Sequence, residues 1–221
     1  MRRNIGWLLW GAVLSGGCAD LSKTVPRSLL AGLSVENKLA LFEAENELAI
    51  AWDEHEQAVH KILEVKAAMS EAQEQVSISR EDKARAEQKK NAKGAQVSAS
   101  AIKSYSAKVD YLDAVLDAAR VRLRVKEAVV VVAEAQFELV KARLIKKNSV
   151  DGAQNIKLPD FEQQVERCVK RVRQRQQELA AVEKHVAEVK KPYLAQRDQL
   201  DKMSGGGLGS PWAEDPTPWL E

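Results

Sequence analysis

Apolar residues recur every seven positions in three separate stretches of the chain. In the first, Leu41, Leu48, Ile62, Met69 and Val76 form one row, with His55 as its polar member, and Ala44, Ala51, Ala58, Val65 and Ala72 form a second. Two such rows make the a/d seam of packed helices, here with large side chains on one row and mostly alanine on the other. The second stretch carries the rows Ile102, Val109, Leu116, Leu123, Val130, Phe137, Leu144 and Tyr105, Leu112, Ala119, Lys126, Ala133, Val140. A third row in that stretch (Tyr111, Ala118, Val125, Val132, Leu139) widens the apolar face, so this helix is expected to be buried on more than one side. The third stretch has Val165, Val172, Leu179, Val186, Tyr193, Leu200 beside Phe161, Cys168, Arg175, Val182, Val189, Gln196, Met203. A strict period of seven held in three segments predicts left-handed supercoiling.

Start and stop signals bound these segments. Ser34 is a suitable N-cap with Glu36 in the first turn, and Asn91 to Gly94 reads as the first helix's end. Residues 148–158, with Asp151-Gly152, form the second turn, and Pro159-Asp160 with Gln163 reads as a capping box. Pro192 lies inside the third pattern, where a kink is expected. The expected helices are residues 34–92, 98–148 and 159–203, and short turns make successive helices antiparallel. The expected fold is therefore all-α, an elongated antiparallel three-helix coiled coil. A variant leaves residues 75–105 protruding as a two-helix stalk, because the third helix is shorter than the hairpin it must cover.

Composition supports this. The chain has 31 alanines and 5% aromatic residues, and between residues 33 and 203 its only breakers are Gly94, Gly152, Pro159 and Pro192. Sheet proteins need more turn residues and aromatics, and a disordered chain would lack the 45% hydrophobic content.

The net charge of +2 resolves at the N-terminus. Arg2 and Arg3 precede an apolar run from Ile5 to Leu14, followed by Ser15-Gly16-Gly17-Cys18. A positive region, a short apolar region and small residues in that order mark a secretory signal. The apolar run is about half the roughly 20 residues that span a bilayer. Without Arg2 and Arg3 the basic residues, 34 in the whole chain, equal the 32 acidic ones, so no general attraction to nucleic acid is expected.

The segment 1–18 resembles a bacterial lipoprotein signal, with a lipobox-like Ser-Gly-Gly-Cys ending and Ser15 where leucine is usual. The resemblance implies cleavage after residue 17 and acylation of Cys18, with palmitate-type chains anchoring the mature protein in the membrane. Ala19 in place of aspartate after the cysteine implies the outer membrane, periplasmic face. Inner-membrane anchoring or a soluble periplasmic protein are the alternatives. Residues 18–33 are then a lipid-anchored tether and residues 34–203 the helical domain.

Residues 204–221 form a distinct tail. A glycine-rich linker leads to Pro211-Trp212 and Pro218-Trp219, with Glu214, Asp215 and Glu221. Trp212 and Trp219 are candidates for docking a partner. The plainer expectation is a tail that folds back or hangs free.

Chemistry-bearing constellations are sparse. His55 and His60 are five apart, which does not place two ligands on one helix face. No phosphate loop or nucleophile elbow occurs, and no cofactor, metal or catalytic residue is expected. Arg167, Lys170, Arg171, Arg173 and Arg175 form one basic cluster without an intervening acid. It could contact anionic groups of the envelope; pairing with acidic faces of the first helix is the plainer expectation. Cys168, set between Val165 and Val172, is expected to be a buried thiol rather than half of an intermolecular disulfide.

The expected function is that of a non-catalytic, lipid-anchored coiled-coil structural or adaptor protein of the bacterial envelope, partnered by an envelope protein or peptidoglycan. Self-association through heptads is a further expectation. In plan it resembles the small helical envelope lipoproteins that tie the outer membrane to peptidoglycan, although those end in a lysine where this chain has Glu221. A periplasmic holdase chaperone or an accessory subunit of an envelope transport complex is the alternative; the seams look self-satisfied, which disfavours a holdase.

Overall fold

The computed structural model describes residues 21–205. The elements are a 3-10 turn Arg27–Gly32, α1 Val35–Gln88, α2 Ala92–Lys147, a single turn Ala153–Asn155, and α3 Leu158–Ser204. At 1.5 Å per residue the three helices are roughly 80, 85 and 70 Å long. No strand occurs among the described residues. The all-α, elongated helical architecture expected from the seven-residue rows is what the chain forms.

Both inter-helix turns use a Schellman motif built on a non-glycine residue. After α1, Lys90 takes the left-handed conformation at φ 54°; its N–H donates to the Glu87 carbonyl and that of Asn91 to Ala86. After α2, Ser149 does the same at φ 47°, with Ser149 bonding Lys146 and Val150 bonding Ile145. Gly94 is therefore not the helix stop that its position suggests. It lies in the first turn of α2, where its N–H donates to the Asn91 side-chain oxygen at 3.0 Å. A Cβ there would stand 2.7 Å from the Asn91 amide nitrogen, so glycine lets the cap close. The expected capping box at Asp160 is also corrected: α3 starts at Leu158, with Lys157 as a cap residue whose side chain makes no capping hydrogen bond. Through Pro192 α3 runs without interruption.

α2 is the central helix. Its buried positions cover most of its circumference, among them Leu112, Val115, Ala118, Ala135, Ala142 and Ile145. α1 packs on one side of it and α3 on another, and α1 and α3 share no comparable seam. The arrangement is thus an antiparallel layer, with α2 between its neighbours.

The α1–α2 seam is made by the small row. Ala51, Ala58, Val65, Ala72 and Ser79 are buried and Ala44 half-buried, whereas Leu41, Leu48, His55, Ile62 and Met69 are only half-buried and the large row is buried only at Val76. Alanine wins because it lets the two backbones approach closely, which leaves the large row at the edge of the contact.

Ion pairs fix the heights of the helices. Lys126 of α2 bonds Glu54 at 2.7 Å, and one turn away Arg122 bonds Glu183 at 2.6 Å. Residue 54 of α1 and about residue 179 of α3 therefore stand level, given 3.6 residues per turn. Near the end of α3 Tyr111 and Tyr193 stack at 5.3 Å. By the same register α3 ends beside about residue 100 of α2, given 1.5 Å per residue. The hairpin tip beyond it continues as two helices alone, as the stalk variant expected.

Candidate functional site

The base of the rod, where the chain enters the described region, holds a set of buried polar contacts. Residues 21–33 do not form the loose tether expected there. Val25 and Leu33 are buried, and Val25 joins a core cluster with Leu139, Ile145, Ile156 and Phe161. Two buried side chains clamp the segment. Gln164 accepts at its carbonyl oxygen from Lys23 N–H (2.9 Å) and from the Ser22 hydroxyl (3.1 Å), and its amide donates to the Lys23 carbonyl at 3.0 Å. Glu138 accepts from Val25 N–H at 2.6 Å and pairs with Lys141 at 2.6 Å. The Lys141 ammonium lies 4.0 Å from the centre of the Phe137 ring. Both members of that ion pair have side chains only 11% exposed, a burial tolerated because each charge keeps a partner.

An entering backbone needs such groups. An extended segment packed on helices has no ladder to satisfy its N–H and C=O groups, so side chains must do it. Gln164 and Glu138 sit on polar positions of their heptads and gave no signal in the sequence. Their role follows only from what lies against them. Next to the clamp, Thr24, Leu29, Gly152, Asn155 and Asp160 line a shallow cleft of about 500 Å³. Gly152 is left-handed at φ 91°, and a Cβ on it would meet Leu29 at 3.1 Å.

Cys18, Trp212 and Trp219 lie outside the described residues. Leu21, three residues after Cys18, is the first residue described.

The basic cluster is brought together on α3, but not with the acidic face of α1. Lys170 pairs within its own helix with Glu166 at 2.9 Å, and Arg175 with Glu178 at 2.8 Å. Arg167, Lys170, Arg171 and Arg173 are exposed, while Arg175 is half-buried in the seam. The expected pairing with α1 fails because α2 separates the two helices. Hydrogen bonding from Lys170 holds the Glu166 carboxyl below its ordinary range.

Cys168 is a free thiol, half-buried rather than fully buried. Desolvation pushes its pKa up, against the opposing pull of Arg171 and Arg167 and with help from Glu134. A thiol so held is a poor nucleophile.

The unexpected feature is on α1. Val35, Leu39, Phe42, Trp52, Val59 and Leu63 are exposed, Val35 by 78% and Phe42 by 65%. Val35, Phe42 and Leu63 fall on one seven-residue row, and Trp52 and Val59 on an adjacent one beside the half-buried large row. The expectation of self-satisfied seams is corrected here, because the layer gives α1 one neighbour instead of two. His55 stands against Trp52 in an edge-to-face contact at 5.6 Å, and His60 faces Glu56 at 4.0 Å. No group of three metal-ligating side chains occurs among the described residues, and no described helix is long and apolar enough to cross a membrane.

No protein-family model matches the chain, and no curated protein or solved structure matches it.

Proposed function

We propose that the protein is a non-catalytic coiled-coil spacer or adaptor of the bacterial envelope, anchored through acylated Cys18 to the periplasmic face of the outer membrane. One observation supports this most. The segment that follows Cys18 is clamped into the base of the rod by Gln164 and Glu138. An acyl anchor four residues upstream of Ser22 would then be coupled to one end of a rod roughly 85 Å long, with little slack between lipid and bundle. Such a body sets a distance from the membrane, and two or three acyl chains suffice to hold it there.

Cell fractionation of the full chain tests this. Wild type is expected in the outer-membrane fraction with a mass increase from acyl chains, and Cys18→Ala is expected to lose both. A Cys18→Ala chain that is still mature-sized and membrane-bound would overturn the anchor.

The uncovered α1 stripe favours a second reading, a holdase that grips unfolded clients. Suppression of aggregation of an unfolded outer-membrane protein, lost on Phe42→Ser with Leu63→Ser, would favour it over the spacer.

A further inference from the structure

We infer that the chain beyond α3 turns back over the helical layer and seats Trp212 and Trp219 on the side of α1 that carries Trp52 and Val59. The inference is independent of the lipid anchor.

Ion pairs tell the two sides of the layer apart. Lys126–Glu54 and Arg122–Glu183 lie on one side. Around α1 four seven-residue rows follow one another at about 50° intervals: that of Glu54, that of the buried Ala51, that of Ile62, and that of Trp52, Val59, Lys66 and Arg80. The last row therefore faces away from those ion pairs. Around α2 the rows of Lys126, Val109, Ser106 and Asp110 follow in the same way, and Glu138, which holds Val25, shares the row of Asp110. Ser106 and Asp110 thus turn toward the side of Trp52.

Two hollows open on that side. One, of about 350 Å³, lies between α1 and α2 and is lined by Val76, Arg80, Ser106, Val109 and Asp110. The other, of about 590 Å³, lies along α1 at Trp52, His55 and Val59. Reach selects their occupant. α3 ends at Ser204, level with about residue 79 of α1, since residue 54 stands level with about residue 179. The first hollow then lies roughly 15–20 Å from that end, given helix spacings of 8–10 Å and a rise of 1.5 Å per residue. The seven residues from Gly205 to Trp212 span at most roughly 25 Å. Val59 and Ile62 lie roughly 35 Å from the same end, and the fourteen residues to Trp219 span at most roughly 50 Å. The two seats stand roughly 20 Å apart, which the seven residues between the tryptophans also cover. Phe42, roughly 55 Å from that end along the rod, is out of reach.

The chemistry of the path suits this segment. Val76 and Val109 offer the first indole an apolar floor, and Asp110 on the rim accepts from its N–H. Val59 is exposed and Ile62 half-buried, so the second indole removes apolar surface from water there. Glu214 and Asp215 lie between the tryptophans, and the α1 wall beside them carries Lys66 and Arg80. Neither cation forms an ion pair among the described residues, whereas Asp110 and Asp113 line the α2 wall, so the two acids turn to α1. Pro211, Pro216 and Pro218 favour the extended chain that such a span needs.

Disulfide formation in the full chain with Cys18→Ser and Cys168→Ser tests the placement. Leu63→Cys with Leu220→Cys is expected to close an intramolecular disulfide. Glu64→Cys, at the same height on the opposite side of α1 from Val59, and Phe42→Cys, out of reach, are each expected to stay open with Leu220→Cys. Equal yields at residues 63 and 64 would show a tail that hangs free and overturn the inference. A covalent dimer in place of the closed monomer would show the tail seated on a second copy and overturn it as well. Thiol labelling of Ser106→Cys in the same background supplies the second measurement. Trp212→Ala is expected to raise its rate about tenfold with helicity unchanged; a rate that does not move overturns the seat between α1 and α2. Cys18 is absent from these chains, so failure of the tail placement and failure of the lipid anchor are distinguishable.

Discussion

At the level of single residues, stability is decided where polar groups are taken out of water. Gln164 and Glu138 pass this test because each has its bonds made. Lys108 is a buried cation whose titration follows from its surroundings. It is buried on α2, where desolvation lowers its pKa from the ordinary 10.5 and the Glu71 charge opposes that only in part. A base with a lowered folded pKa binds fewer protons folded than unfolded, so stability rises with pH between that lowered value and 10.5. Lys108→Met removes that titrating charge, so the stability of the variant relative to wild type is expected to fall as the pH rises from 7 to 10. Urea titrations at pH 7 and pH 10 check it, and a stability difference that is the same at both would show that Lys108 does not carry the pH dependence.

At the level of elements, the α1–α2 contact is set by its small row. Ala72 is wholly buried, as is Ala118 in the same core cluster. Ala72→Leu should destabilise by about 1–3 kcal/mol through overpacking, whereas Leu63→Ala on the open face should change the monomer's stability by under about 0.5 kcal/mol. Thermal or urea unfolding of both variants at low concentration is the check, and the opposite order would mean that the row of Leu63, not the alanine row, carries the seam. The helix ends carry a second lesson. Glycine marks a left-handed C′ residue in many helices, and here Lys90 and Ser149 take that place. The Gly94 signal was real but belonged to the Asn91 cap of the next helix. In a tight turn the stop of one helix and the cap of the next fall within a few residues, and the sequence does not say which one a glycine serves.

At the level of the whole molecule, packing is uneven along the rod. Its base has the Val25–Phe161 cluster and its middle the Val65–Tyr193 cluster, while residues 81–97 have no buried side chain. Amide exchange should follow that order. The hairpin tip should exchange through local opening by at least tenfold faster than α2 around residues 111–118. Uniform protection would mean that something covers the tip in solution.

Periodicity was enough to determine the helical class, the three segments and the broad burial of α2, since a seven-residue repeat leaves few other ways to bury apolar rows. The same repeat could not say how the helices surround one another. A closed bundle and an open layer have the same a/d rows; they differ in whether the third helix closes on α1 or stays on the far side of α2. Tertiary packing decided that, and with it came the uncovered face of α1, the separation of its acids from the basic cluster of α3, and the clamp on residues 22–25. Each depends on contacts between residues more than a hundred positions apart, or on their absence, to which a local period is blind.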